Sequence, residues 1–219
     1  MMTTDLRLAL ALAVAVLTGS ATQSLPVNIQ TFEVINDSEV YAVYAAAVRT
    51  KFTGGDKPLT VLTLLQETRA GADCLIQGRD KRLPPDWRSV VESYRRENAR
   101  VRTIREGFDL GVPYSIVTVA QVRKLMSDAG YSKRSPHSNA PGADVFARFP
   151  GGRLVALSAV GFNAEKTRAT VAIQADCFPS WTPGTEHARC QEGRHVALEK
   201  KDGRWTIVQG VRVGCIWAT

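Results

Sequence analysis

Hydrophobic positions along this chain fall into three regimes. Leu8 to Leu17 is an unbroken run of ten apolar residues. Apolar residues then recur mostly at helical spacing, interrupted by short β-branched stretches. Beyond about Arg153 the period becomes two, the signature of half-buried strands.

The helical regime opens with a capped start. Asn36 is placed to cap a helix, with Glu39 three residues on as the reciprocal half of a capping box. Ile35 and Val40 stand where a hydrophobic staple puts its two members. Val40, Tyr44, Ala47 and Val48 then share one face, and Gly54, Gly55 and Pro58 stop the helix. Leu59 to Thr68 is apolar and β-branched and reads as a buried strand. A second helix follows Pro84 and Pro85, with Trp87, Val90, Val91 and Tyr94 on its apolar side. Arg88, Glu92 and Arg96 lie at ion-pair spacing on the other. Tyr114 to Val117 predicts a short strand. Thr118 and Gln121 predict a capping box opening a helix through Val122, Leu125 and Met126. Residues 131–141 read as loop.

In the last regime, Leu154 to Phe162 and Arg168 to Cys177 predict strands joined by a turn over Asn163 to Thr167. Asp202-Gly203 is a strong two-residue hairpin signal. It pairs Lys201 with Arg204, Lys200 with Trp205, Leu198 with Ile207 and Val196 with Gln209. That register puts Val196, Leu198, Trp205 and Ile207 on one face, as a sheet with one buried side requires. The expected fold is α+β: N-terminal helices with one or two strands, then a four-stranded antiparallel meander over 153–219. An NTF2-like cone is the alternative, since the D-G-R-W-T-I-V hairpin is similar to the closing strands of such domains.

Composition narrows the class without naming an activity. The chain has 219 residues, 44% hydrophobic and 22% charged, ordinary values that argue against a disordered or collagenous protein. The apolar run at the N-terminus is half the ~20 residues a membrane span needs. Arg7 precedes it, and Gly19, Ser20 and Ala21 follow, the layout of a secretory signal peptide cut after Ala21. Ser20 stands where a lipoprotein would carry its lipidated cysteine, so a soluble, non-lipidated secreted or periplasmic product is expected. The domain division is then 1–21 as leader and 22–219 as one α+β domain, with no transmembrane segment after cleavage. The leader contains one Asp and one Arg, so the formal charge of +7 belongs to the domain.

Four cysteines, Cys74, Cys177, Cys190 and Cys215, agree with export. Cys177 and Cys190 bracket a loop rich in turn residues. If that loop joins antiparallel strands, its ends fall within the ~4.4–6.8 Å Cα window of a disulfide. A bridge there stabilises by about 3 kcal/mol in the chain-entropy model. Cys74–Cys215 follows by elimination. The rival is zinc, with His187 and His195 beside the cysteines. However, the tight ligand pairs of zinc sites are missing, and an oxidising compartment favours the disulfide. No metal and no cofactor is expected.

Catalytic signals are weak. Ser158 lies mid-strand without the glycine-flanked elbow of a hydrolase nucleophile. His137, His187 and His195 are not aligned by sequence with a serine and a carboxylate. There is no Walker loop and no dinucleotide fingerprint, and Asp73 with Asp176 is a pair only a fold could make. Between Arg79 and Asp109, nine Arg or Lys face six Asp or Glu. They alternate, so a solvated ion-pair face explains them, and no nucleic acid partner is expected. An anionic envelope component is a possible partner. Trp181, His187 and His195 are the candidate binding residues.

Ser158-Ala159-Val160-Gly161-Phe162-Asn163, followed by Thr167-Arg168-Ala169-Thr170-Val171, carries a resemblance. With Cys177, Cys190, Gly203-Arg204-Trp205 and Trp217 in order behind it, the last 70 or so residues resemble a group of small secreted bacterial proteins of unknown function. That resemblance implies export and a cysteine pair but no activity. The expectation is a non-catalytic binding or envelope-associated module, with an exported hydrolase lacking a recognisable motif as the alternative.

Overall fold

The computed structural model describes residues 32–52, 61–70, 83–130, 146–179, 188–211, 213–214 and 216–218. The leader expected over 1–21 lies outside them, as do Cys74, Asp73, His137, Trp181, His187 and Cys215.

Three α-helices and eight strands are found among the described residues, in the order α1 (Ser38–Phe52), β1 (Leu62–Leu65), α2 (Arg88–Glu97), β2 (Tyr114–Val117), α3 (Val119–Asp128), β3 (Leu154–Leu157), β4 (Gly161–Phe162), β5 (Arg168–Pro179), β6 (Ala188–Lys201), β7 (Arg204–Ile207) and β8 (Ile216–Ala218). The protein is α+β, and its sheet is mixed and open, ordered β2-β1-β3-β5-β6-β7, with β4 beside β5 and β8 beside β6. The antiparallel strands of the C-terminal third do not stand alone. β3 also pairs in parallel with β1, and β1 with β2, so both halves of the chain build one sheet.

Two faces of that sheet are covered by different helices. Tyr44, Ala47 and Val48 of α1 pack with Leu64, Val155, Leu157, Val171, Ile173 and Leu198. On the opposite face, Val122 and Met126 of α3 meet Leu154 and Ala156, while Val90, Val91 and Tyr94 of α2 meet Ala172 and Ala197. Alternation along the strands, 154 and 156 to one side and 155 and 157 to the other, is what the period of two demands.

Several local readings are sharpened. The cap of α1 is Asp37, one residue later than Asn36: the Asp37 carboxylate accepts the Glu39 N–H at 3.0 Å. Glu39 is therefore free to face the sheet, where it takes Lys200 Nζ at 2.8 Å and Trp205 Nε1 at 2.9 Å. The Thr118–Gln121 capping box is formed in both directions, and the Glu67 carboxylate adds a further acceptor for Val119 N at 3.0 Å. Of the stretch expected as one strand over 59–68, the described residues 61–68 are regular at Leu62–Leu65, and 154–162 breaks into β3 and β4. The 202–203 turn sets Lys201 opposite Arg204, Lys200 opposite Trp205 and Leu198 opposite Ile207. Asp202 and Gly203 both have positive φ (50° and 76°), as a right-twisting two-residue hairpin needs.

β5 changes face at one residue. Ala175 packs on the α1 side, yet Cys177 packs on the α3 side. Asp176 between them has φ 55°, in the left-handed region that Asp tolerates better than most residues. Beyond this reversal Cys177 stands opposite Cys190, and the two form a disulfide with Cα atoms 3.9 Å apart. That is closer than the expected window.

Candidate functional site

Helix α2 is seated by contacts to residues 158–162. A Cβ on Gly161 would collide with Tyr94 N and Val90 O, so only glycine lets the helix backbone approach. Asn98, at the helix C-terminus, donates to Tyr94 O (2.8 Å) and Ala159 O (3.0 Å) and accepts from Ala159 N (2.9 Å). Ser158 is fully buried. Its hydroxyl accepts from Ala172 N at 2.8 Å and donates to Ala159 O at 2.9 Å, while its carbonyl accepts from Tyr44 OH. It is a strand-break fitting with both hydrogen-bonding roles taken, which answers its candidacy as a nucleophile.

Asn163 closes the β4–β5 turn in the same way. Its side-chain oxygen accepts from Thr167 N and Arg168 N at 2.9 and 2.7 Å. Lys166, in that turn, has φ 50°. Its ammonium reaches across to α1, 2.6 Å from Asp37 Oδ2 and 5.6 Å from the centre of the Phe162 ring.

Between these elements lies a cleft of about 640 Å³. One wall is the extended segment 33–37, held by Ile35 N to Thr103 O and Thr103 N to Glu33 O, both 2.9 Å. The second wall is the outer side of α2, with Ser89, Glu92, Ser93 and Arg96, and the third is the turn at Asn163, Ala164 and Lys166. Val34, Val160 and Phe162 give it an apolar base. Val34 is 43% exposed, unusual for a large hydrophobic residue among the described residues.

Charges around the cleft are mostly spent on one another. Arg102 lies 2.6 Å from Glu97 and 3.8 Å from Glu33. Arg96 lies 3.5 Å from Glu97 and donates to Ser93 Oγ at 3.3 Å, an atom that also accepts Phe162 N. Glu92 is exposed, and among the described residues it makes neither of the ion pairs with Arg88 and Arg96 that its spacing allows. The alternating charges of the basic stretch thus serve partly as the framework of the cleft rather than as a free solvated face.

Of the candidate binding residues, Trp181 and His187 lie outside the described residues, and His195 is described. His195, on β6, faces α2: its Nε2 is 3.3 Å from Tyr94 OH and the rings meet edge to face at 5.3 Å. Gly214 lies so close that a Cβ there would enter the imidazole. His195 is therefore a packed ring between strand and helix, outside the cleft. Cys177 and Cys190 are bonded to each other, which removes them as zinc ligands. Among the described residues no three His, Cys, Asp or Glu side chains gather to hold a metal ion, and no helix is long and apolar enough to cross a membrane.

A second charged group stands at the end of α1. Arg153 makes a two-pronged contact with Asp176 (3.1 and 2.7 Å) and reaches Glu192 at 2.7 Å, and Lys51 lies 3.3 Å from the same Glu192 oxygen. Burial pulls the Lys51 ammonium below its ordinary range despite that carboxylate. Burial would raise the Glu192 carboxyl, but Lys51 and Arg153 outweigh it and hold it low. The group ties the end of α1 to β5, β6 and the residue before β3 at the point where β5 changes face.

The fold and site define a mixed-sheet α+β protein with an open, charge-framed cleft at the N-terminal end of α1 and along α2. No protein-family model, curated protein or solved structure matches the chain.

Proposed function

We propose that this chain is a secreted or periplasmic, disulfide-bonded binding module whose small ligand seats in the cleft between residues 33–37, α2 and the β4–β5 turn. The observation that carries this reading is the cleft itself. Its volume is within the range of small-molecule sites, and it joins an apolar base to a few fixed polar groups. The Cys177–Cys190 disulfide supports an oxidising destination, as do the leader-like N-terminus and the resemblance of the C-terminal third to secreted bacterial proteins.

The groups that frame the cleft are carboxylates, guanidinium groups, hydroxyls and a lysine, mostly tied in pairs. That is recognition chemistry: fixed charges orient a ligand and exclude mismatched ones. An exported hydrolase would call for a histidine beside a serine or carboxylate at an open site. His195, packed against Tyr94 and Gly214, does not favour that alternative.

An NMR fragment screen of the ¹⁵N-labelled protein tests the reading. Hits should shift the amide signals of Val34, Ser93, Phe162 and Asn163, and Val34→Arg should abolish those shifts while leaving the rest of the spectrum intact. Shifts confined to Tyr94, His195 and Gly214 would move the site to the histidine and overturn the proposal.

A further inference from the structure

We propose that the free edge of β2 takes an extended peptide segment of a partner protein as one more antiparallel strand, its apolar side chains entering the hollow between β2 and the 106–109 loop. The site lies apart from the cleft and does not rest on it. β2 pairs in parallel with β1 on one side and, among the described residues, with no strand on the other. Leu62 N donates to Pro113 O at 3.0 Å and Gln66 N to Val117 O at 2.8 Å. The odd-numbered residues therefore spend their backbone groups on β1, and alternation turns the N–H and C=O of Tyr114 and Ile116 outward. Among the described residues these outward groups have no backbone partner. Edge strands are usually blunted by a charge, a proline or a bulge. Tyr114–Val117 holds no charged residue and no proline, and its register on β1 runs unbroken from Tyr114 to Val117. Shortness is its protection, and it limits the partner to a few residues.

A hollow of about 500 Å³ lies along this edge, lined by Tyr114, Ser115, Ile116 and residues 106–109. Phe108, buried at its wall, is fixed there by Tyr114. The Tyr114 hydroxyl accepts from Phe108 N at 3.1 Å and donates to Phe108 O at 2.9 Å, and the two rings are 5.2 Å apart. Tyr114 and Ile116 are themselves only partly buried, on the α1 side of the sheet. In an antiparallel pair, the residues opposite them exchange both N–H···O bonds and place their side chains on that same side, in the hollow. Backbone bonds then supply affinity and the hollow selects the side chain, which is how strand addition divides the two tasks. A partner with β-branched residues at every second position meets both demands. A second copy of this chain meets them poorly. Pairing β2 with β2 covers only a four-residue strand, far short of the ~1,200 Å² of a stable specific interface, and gathers both 106–109 loops at one seam.

The test titrates a lysine-flanked octapeptide of alternating threonine and valine into the ¹⁵N-labelled protein, following the amides of Tyr114 and Ile116. Both should shift, and both should exchange with solvent about tenfold more slowly in the complex. N-methylation of the valines, whose N–H groups face β2 in this register, should weaken binding about tenfold. N-methylation of the threonines, whose N–H groups face away, should leave the affinity within about twofold. Ile116→Pro should weaken binding as the methylated valines do and still fold, because proline is tolerated where an edge-strand N–H faces solvent. Equal losses with the two methylated peptides, or silence of Tyr114 and Ile116 toward the unmodified one, would overturn the added strand. Protection of these amides that rises with protein concentration in the absence of peptide, together with a doubled mass in sedimentation, would assign the edge to a second copy and overturn the peptide partner. The cleft reading is followed at Val34, Ser93, Phe162 and Asn163, so it stands or falls separately.

Discussion

Replacing Glu39 with glutamine should loosen α1 from the sheet in a pH-dependent way. In the wild type one carboxylate oxygen takes Lys200 Nζ at 2.8 Å and the other takes Trp205 Nε1 at 2.9 Å. The Glu39 and Lys200 side chains are 30% and 28% exposed, and Trp205 is 7% exposed. Glutamine keeps an oxygen for the indole but presents an uncharged amide to Lys200. A hydrogen bond to a charged group contributes about 1.5–3 kcal/mol, and partial exposure argues for the low end. The expected loss is about 1.5 kcal/mol near pH 7. For a chain of this size that lowers Tm by about 3–6 °C.

The hydrogen bonds from Lys200 and then Trp205 hold the Glu39 carboxyl below the usual glutamate range, against the opposing effect of burial. A group with a depressed folded pKa contributes stability that is present above its unfolded pKa and is lost as pH falls through the folded value. Urea melts of wild type and Glu39→Gln should therefore differ most at pH 6–7, and the difference should shrink steadily below about pH 4.5. Lys200→Met in both backgrounds completes a double-mutant cycle, in which the Gln substitution should cost less once the ammonium is gone. A difference that stays constant from pH 7 to pH 3, or a zero coupling energy, would refute the assignment of this contact as an ionic pin.

Three other outcomes follow from the geometry. Gly161→Ala drives a methyl into the Tyr94 and Val90 backbone and should cost about 2–3 kcal/mol, read by chemical denaturation, with a change in the near-ultraviolet dichroism of the buried Trp87 as α2 shifts. Cys177→Ala with Cys190→Ala removes a bridge of sequence separation 13 and should cost about 3 kcal/mol; reduction should destabilise the wild type by about that much more than it destabilises the double variant, as read from their urea midpoints. Lys166→Gly should change stability by less than about 0.5 kcal/mol, since relief of about 1 kcal/mol at a left-handed position offsets the loss of an exposed ion pair, whereas Lys166→Ala should be less stable than the glycine variant by about 1 kcal/mol.

Elements signed by near neighbours were legible. Thr118 and Gln121 are three apart, and their capping box needs nothing beyond that spacing. Asp202-Gly203 dictates its own turn, and the turn dictates the pairing of the strands beside it. Cys177 and Cys190 were legible because a turn-rich loop brings its ends together. Where two polar residues compete for one role, local pattern misleads: Asn36 and Asp37 both suit a cap. Asp37 takes the role, leaving Glu39 to Lys200 and Trp205, which lie more than 160 positions away. The parallel pairing of β1 with β3 and the face reversal at Asp176 also have no local sign. One joins residues about 90 apart, and the other is a backbone choice at an ordinary aspartate within an otherwise regular strand.

The cleft was invisible for a related reason. Its walls come from residues 33–37, 89–102 and 160–166, and no single stretch carries a motif. Ser158 to Asn163 supply fittings rather than a motif. Ser158 bridges the break between β3 and β4, Gly161 admits α2, and Asn163 folds the turn that presents Lys166. These fittings hold α2 and the turn around the cleft, and the side chains of Asp37, Glu92 and Lys166, which line it, are separate from them. Under the binding reading proposed above, the 158–163 stretch therefore sets the architecture of the cleft, and specificity falls to residues 34, 37, 92 and 166.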